Sequence, residues 1–196
     1  GKRQVVCFTG LRMVGLAVDS GELLWEHKFE AYMQQTILTP VIWNDLIIFG
    51  GENKATIALR ISRSDREFST DVAWHCPGLR SYLTSSVVIG DHLVGFNHSR
   101  KNLACVEIST GSVAWTSPQI GEHVSLVVAG RKLLALNSNN ELYAIEATPR
   151  KFEQLAKWKF GDAGGTRAHL ALSNKCLYMK DTVDLLCFEM ASSDSP

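Results

Sequence analysis

Residues 103–115 read LACVEISTGSVAW. The stretch has four parts: a short apolar strand ending on Glu107, a Thr110-Gly111 turn, a second short strand, and Trp115. Alternating side chains of the first strand fall on two faces. The turn calls for glycine because tight hairpin turns often need a positive φ. The tryptophan closes the second strand with a large apolar surface. Similar pieces recur on both sides, and the recurrence carries more information than any one residue.

Upstream, QVVCFT (4–9), RMVGLAV (12–18) and LLWEHKF (23–29) read as strands separated by turns at Gly10 and at Asp19-Ser20-Gly21. After the polar link AYMQQ, ILTPVIW (37–43), LIIFGG (46–51), ATIALRI (55–61) and FSTDVAWHC (68–76) form a second unit, with a longer polar loop through Arg63–Arg66. The third unit runs LTSSVVI (83–89), HLVGFNH (92–98), LACVEI (103–108) and VAWTS (113–117). The fourth runs HVSLVVA (123–129), KLLALNS (132–138), ELYAIEA (141–147) and FEQLAKWKF (152–160). Helical spacing of Phe152, Leu155 and Ala156 competes in that last piece, but Trp158 falls where the repeat places a strand. The fifth unit has AHLALS (168–173), CLYMKD (176–181) and DLLCFEM (184–190), and no tryptophan strand.

The closing tryptophans are Trp25, Trp74, Trp115 and Trp158, with separations 74−25 = 49, 115−74 = 41 and 158−115 = 43. A period of roughly 40–50 residues with about four strands per unit is the signature of a β-propeller blade. A β-sandwich has similar turn spacing but no phased tryptophan. The expected fold is therefore all-β: a propeller of four-stranded antiparallel blades, with about five blades at 1–29, 37–76, 83–117, 123–160 and 168–190 and a disordered tail at 191–196. The first unit lacks its innermost strand and the fifth its outermost, so the expectation is an arc cut from a larger, seven- or eight-bladed ring.

Twenty basic residues balance twenty acidic ones, which gives no bulk-charge reason to bind nucleic acid or an anionic membrane. No apolar run approaches the ~20 residues of a membrane span. The five cysteines include no C-x-x-C pair, and Cys7, Cys105, Cys176 and Cys187 lie in apolar strand runs, which reads as core packing. The six histidines include no H-x-x-x-H or H-E-x-x-H pair, so no metal site is expected. No G-x-S-x-G or phosphate-binding glycine loop occurs.

The stretches GLAVDSGELLW (15–25) and ACVEISTGSVAW (104–115) resemble the tryptophan-docking repeat of the pyrroloquinoline-quinone-type propellers. TPVIWNDLIIFGG, SSVVIGDHLVGFN and VVAGRKLLALN resemble its inner hairpins. The resemblance covers nearly the whole chain and is greatest to noncatalytic quinone-binding-like repeat proteins of bacteria, and it extends to the propeller lipoprotein that scaffolds outer-membrane barrel assembly. It implies that Trp25, Trp74, Trp115 and Trp158 dock one blade on the next. Gly21, Thr110, Gly111, Glu107 and Glu146 would then stand at the repeat's turn and acid positions. The copies are degenerate: Ala17 replaces the acid in the first unit, and the second has Arg60 and no Thr-Gly turn.

Quinoprotein dehydrogenases of this type carry an adjacent Cys-Cys pair, an Asp base and calcium ligands. Here no cysteines adjoin and no Asp-rich loop has calcium spacing. The expectation is therefore no catalytic residue, no metal and no cofactor, with quinone (PQQ) and calcium belonging only to the alternative of a dehydrogenase fragment. The candidate binding loops are those of His98, His169, Arg167 and Arg80, near strand ends and blade junctions. Gly164-Gly165 with Asp162 marks an inter-blade loop, and the other tip charges are scattered. The function expected from the resemblance is a noncatalytic scaffold that binds an envelope protein or peptide in the periplasm or elsewhere outside the cytoplasm.

Overall fold

Most strands of this chain are apolar on both faces, and a sheet built from them must be covered on both sides. In the computed structural model, which describes residues 2–65, 67–146, 148–161 and 165–190, five antiparallel sheets meet that requirement by stacking. The expected tail at 191–196, Arg66, and Asp162 and Gly164 of the inter-blade loop lie outside the described residues.

The first sheet is β1 (Gln4–Thr9), β2 (Arg12–Ala17) and β3 (Leu23–Lys28). The second is β4 (Val41–Trp43), β5 (Leu46–Gly51), β6 (Lys54–Ser64) and β7 (Glu67–Cys76). The third is β8 (Val87–Ile89), β9 (His92–Asn97), β10 (Asn102–Glu107) and β11 (Val113–Gln119). The fourth is β12 (Ser125–Ala129), β13 (Lys132–Leu136), β14 (Glu141–Glu146) and β15 (Gln154–Lys159). The fifth is β16 (Ala171–Ser173), β17 (Cys176–Lys180) and β18 (Leu185–Glu189). In each sheet the strands pair in sequence order, so every sheet is a meander. β12 lies against both β8 and β16, which puts the first strands of successive sheets side by side at an axis. This is the arrangement of β-propeller blades. FEQLAKWKF contains β15, a strand.

Period-2 alternation distributes the apolar residues between seams. Leu46 and Ile48 of β5 pack with Leu93, Val106 and Ile108 of the third sheet, while Ile47 and Phe49 pack with Met13 and Trp25 of the first. Leu133 and Ala135 of β13 face Phe96 and Leu103, while Leu134 and Leu136 face Leu177 and Met179. There are thus four buried clusters, one at each seam between adjacent sheets. No sheet has a core of its own, so each is stabilised by its neighbours.

Two features differ from the sequence pattern. The axial strands are shorter than the apolar runs that contain them: 41–43 within 37–43, 87–89 within 83–89, 125–129 within 123–129 and 171–173 within 168–173. Residues that precede them bond to a neighbouring sheet, Thr39 and Thr84 to the next one and Leu170 to the one before. Ser85 Oγ accepts the Thr39 N–H at 2.9 Å, Ser125 Oγ accepts the Leu170 N–H at 2.8 Å, and the Thr84 hydroxyl donates to Val124 O. Second, Arg63 and Ser64 do not form a long polar loop. The β6–β7 ladder continues to Ser64 opposite Glu67, held by Ile61 opposite Thr70 and by the Arg63 guanidinium 5.3 Å from the Phe68 ring centre.

The cysteines also divide. Cys76 and Cys105 are buried, Cys7 and Cys176 are half-buried, and Cys187 is exposed, against the expectation of core packing for it. β18 pairs only with β17, and period 2 turns Cys187 away from the seam that Leu186 and Phe188 face.

Candidate functional site

The strand order places the β5–β6 and β9–β10 turns at the same end as the loops that enter β4, β8, β12 and β16. These loops form two adjoining clefts. The first, of about 240 Å³, is lined by Glu52, Asn53, Arg80, Tyr82, His98 and His123, with Leu83 and Ser99. The second, of about 260 Å³, lies nearer the axis among Ile37, Leu83, Thr84, His123, Arg167 and His169. Leu83 and His123 line both. The four candidate loop residues therefore lie on one end of the molecule: His98 and Arg80 in the first cleft, Arg167 and His169 in the second.

Two buried asparagines carry this end. Asn97 Nδ2 donates to Gly78 O at 2.7 Å, and its Oδ1 accepts from the Ser99 and Arg100 N–H groups at 3.1 and 3.3 Å. Asn137 repeats the arrangement, with Nδ2 donating to Ile120 O at 2.8 Å and Oδ1 accepting from the Asn139 and Glu141 N–H groups. Each closes the turn after a second strand and ties it to the loop that enters the same sheet. Neither was a candidate from the sequence. The signal was present: Asn ends both HLVGFN and KLLALN, 137−97 = 40 residues apart, one repeat.

His98 sits on that framework. Its ring centre lies 4.9 Å from Phe96, 5.3 Å from Tyr82 and 6.0 Å from His123, and its Nε2 is buried without a hydrogen-bond partner. Burial, and then the neighbouring His123, push its pKa down to about 4. The Tyr82 hydroxyl donates to Gln35 Oε1, and burial followed by Glu52 raises its pKa. The sign for stability follows from linkage. His98 is neutral in the folded chain and protonates near 6.5 when unfolded, so its contribution is full above about pH 6.5 and is lost as pH falls towards 4. With solvent screening allowed for, the loss between pH 7 and pH 5 is expected to be about 1 kcal/mol. His98→Phe should flatten that part of the profile in urea unfolding. A slope equal to that of the unaltered protein would refute the assignment.

The residues at the repeat positions lie away from these clefts, at the seams. The Thr110 hydroxyl donates to Glu107 Oε2 at 2.7 Å, and the Gly111 N–H bonds Glu107 O at 2.8 Å with Gly111 at φ 75°. Gly21, at φ 71°, bonds back to Ala17 O in the same way. Glu146 is paired instead with Arg131, at 3.3 Å. Trp74 Nε1 donates to Ile108 O at 2.7 Å, and Trp115 Nε1 donates to Thr148 O at 3.0 Å, each across a seam to the following sheet. Trp25 Nε1 bonds Gln4 Oε1 in its own sheet, at 2.6 Å. Trp158 is 48% exposed.

At the opposite end, a cleft of about 380 Å³ runs between Gln4, Ile42, Asp45, Ser62 and Phe68, beside the Arg60–Asp45 ion pair. Among the described residues, no three His, Cys, Asp or Glu side chains converge to hold a metal ion. Among the described residues no helix is long and apolar enough to cross a membrane.

The family described as outer membrane protein assembly factor BamB matches residues 1–117. No curated protein sequence matches the chain. Solved structures similar to it at low identity include β-propellers. BamB from Moraxella catarrhalis is 11% identical, with TM-score 0.54, over 94% of this chain and 68% of that one. The Cps50 (Swd1) β-propeller domain of Myceliophteria thermophila is 14% identical, with TM-score 0.66, over 95% and 67%. A putative 6-phosphogluconolactonase from Bacteroides fragilis is 14% identical, with TM-score 0.67, over 92% and 60%. The chain thus spans about two thirds of their lengths, and at these identities the likeness is one of fold.

Proposed function

This chain belongs to the PQQ_2 family, that of outer membrane protein assembly factor BamB, and from that premise we propose that it is a noncatalytic β-propeller scaffold that binds a protein or peptide partner in the bacterial cell envelope. One observation carries the reading. Loops that enter four successive sheets, together with the β5–β6 and β9–β10 turns, build one continuous pair of clefts at one end. The loops are positioned by buried hydrogen bonds of Asn97 and Asn137 and by rigid stacked sheets. A surface assembled from several blades suits a partner larger than one loop could hold. The scaffold needs no cofactor and no catalytic group, and the tryptophans would serve it by keeping the blades in register.

Photo-crosslinking in cells tests this reading. A crosslinking residue at exposed Ser99 or His169 is expected to capture a partner in the envelope fraction. The same residue at Ile42 or Ser62, at the opposite end, is expected to capture none. Equal capture from both ends, or none from Ser99 and His169, would sink the assignment.

A further inference from the structure

We propose that the axial cleft between Ile37 and His169 binds a single carboxylate carried beside an apolar side chain on the partner's peptide. The inference rests on the scaffold reading above and adds the chemistry of the partner. Among the described residues no carboxylate lines this cleft. Its one guanidinium, that of Arg167, makes no ion pair with a described residue. Arg12, Arg60 and Arg131 each have a glutamate or aspartate partner, whereas Arg3, Arg63, Arg80, Arg100 and Arg150, like Arg167, make no ion pair with a described residue. His123 and His169 add two further donors around the same space.

The hydroxyls of the cleft sharpen the choice. Thr84 commits its hydrogen to Val124 O. Ser125 Oγ accepts the Leu170 N–H, which leaves its own hydrogen available to an incoming oxygen. A carboxylate suits this set because it only accepts hydrogen bonds, and a guanidinium recognises it in a planar fork. Ile37, 55% exposed, and Leu83 supply an apolar wall on the same cleft. An apolar side chain laid there would remove that surface from water while the acid reached Arg167.

The neighbouring cleft carries charge of both signs. Glu52 sits in it, beside Tyr82, across the shared Leu83 and His123. A second acid on the peptide at that side would meet Glu52 but also Arg80 of the same cleft. At about 260 Å³ the axial cleft takes side chains and not a drug-sized molecule.

Fluorescence anisotropy with two labelled synthetic peptides tests the proposal. One carries a single Asp between leucines within serine flanks, and the other carries Asn in its place. The unaltered protein is expected to bind the Asp peptide about tenfold more tightly, the worth of one charge-assisted hydrogen-bonded contact. Arg167→Gln should erase that preference, and Arg63→Gln, at the opposite end, should leave it intact. Equal binding of the two peptides, binding of neither, or a preference that survives Arg167→Gln would overturn the proposal. Crosslinks from Ser99 and His169 together with no Asp preference would leave the scaffold standing and remove only the carboxylate.

Discussion

Trp115→Ala is expected to lower the unfolding free energy by about 3–5 kcal/mol, whereas Trp158→Ala should cost less than about 1 kcal/mol. Both tryptophans stand at the same phase of the repeat, and the difference lies in what covers them. Trp115 is 9% exposed, joins the cluster between the third and fourth sheets, and lies 5.8 Å from the Phe152 ring centre. Its loss would leave a cavity at the seam and would deprive Thr148 O of a donor. Trp158 is 48% exposed, so truncation returns less apolar surface to water. Denaturant midpoints of the two variants measure the contrast. An unchanged midpoint for Trp115→Ala, or equal losses at both sites, would contradict the account.

Gly111→Ala is expected to cost about 2–4 kcal/mol, and Gly90→Ala only about 1 kcal/mol. Both glycines hold a positive φ, 75° and 60°, so both substitutions meet left-handed backbone strain. A methyl at Gly90 would enter open space, whereas one at Gly111 would lie 2.7 Å from the Trp74 ring. Trp74 is buried and fixed by its bond to Ile108 O, so it cannot yield without opening the seam. The extra cost should vanish when Gly111→Ala is made in a Trp74→Ala background, because the two residues are in contact. Equal costs for the two glycines, or additive losses in the double variant, would show that Trp74 is not the obstacle.

The stretch 103–115 was legible because its signals are local. A glycine at the turn, an acid three residues before a threonine, and alternation of apolar side chains can all be read within a dozen residues, and the Thr110–Glu107 bond forms within them. The binding end was legible only in part. Arg80, His98, Arg167 and His169 stood out as polar residues near junctions, but their grouping did not, because they come from three different loops. Tyr82, Glu52 and His123 carried no local signal. Asn97 and Asn137 did carry one, in their shared place one repeat apart, but asparagine after a strand reads first as a turn residue.

Sequence alone determined the blade as a unit. Strands apolar on both faces, recurring with a phased tryptophan, have no stable solution except sheets stacked against like sheets. That follows from period 2 and from the cost of leaving apolar surface in water, and neither depends on the rest of the chain. Tertiary structure decided which residues meet. It shortened the axial strands by bonding Thr39, Thr84 and Leu170 to neighbouring sheets, packed His98 against Tyr82, and left Trp158 half-exposed while covering Trp115. The physical reason is that the contacts between sheets join residues some forty apart in sequence, and the packing of His98 on Tyr82 joins a turn to a loop sixteen residues away. Such contacts are set by how one blade is seated on the next, and the 3.3 Å rhythm of a single strand holds no record of that.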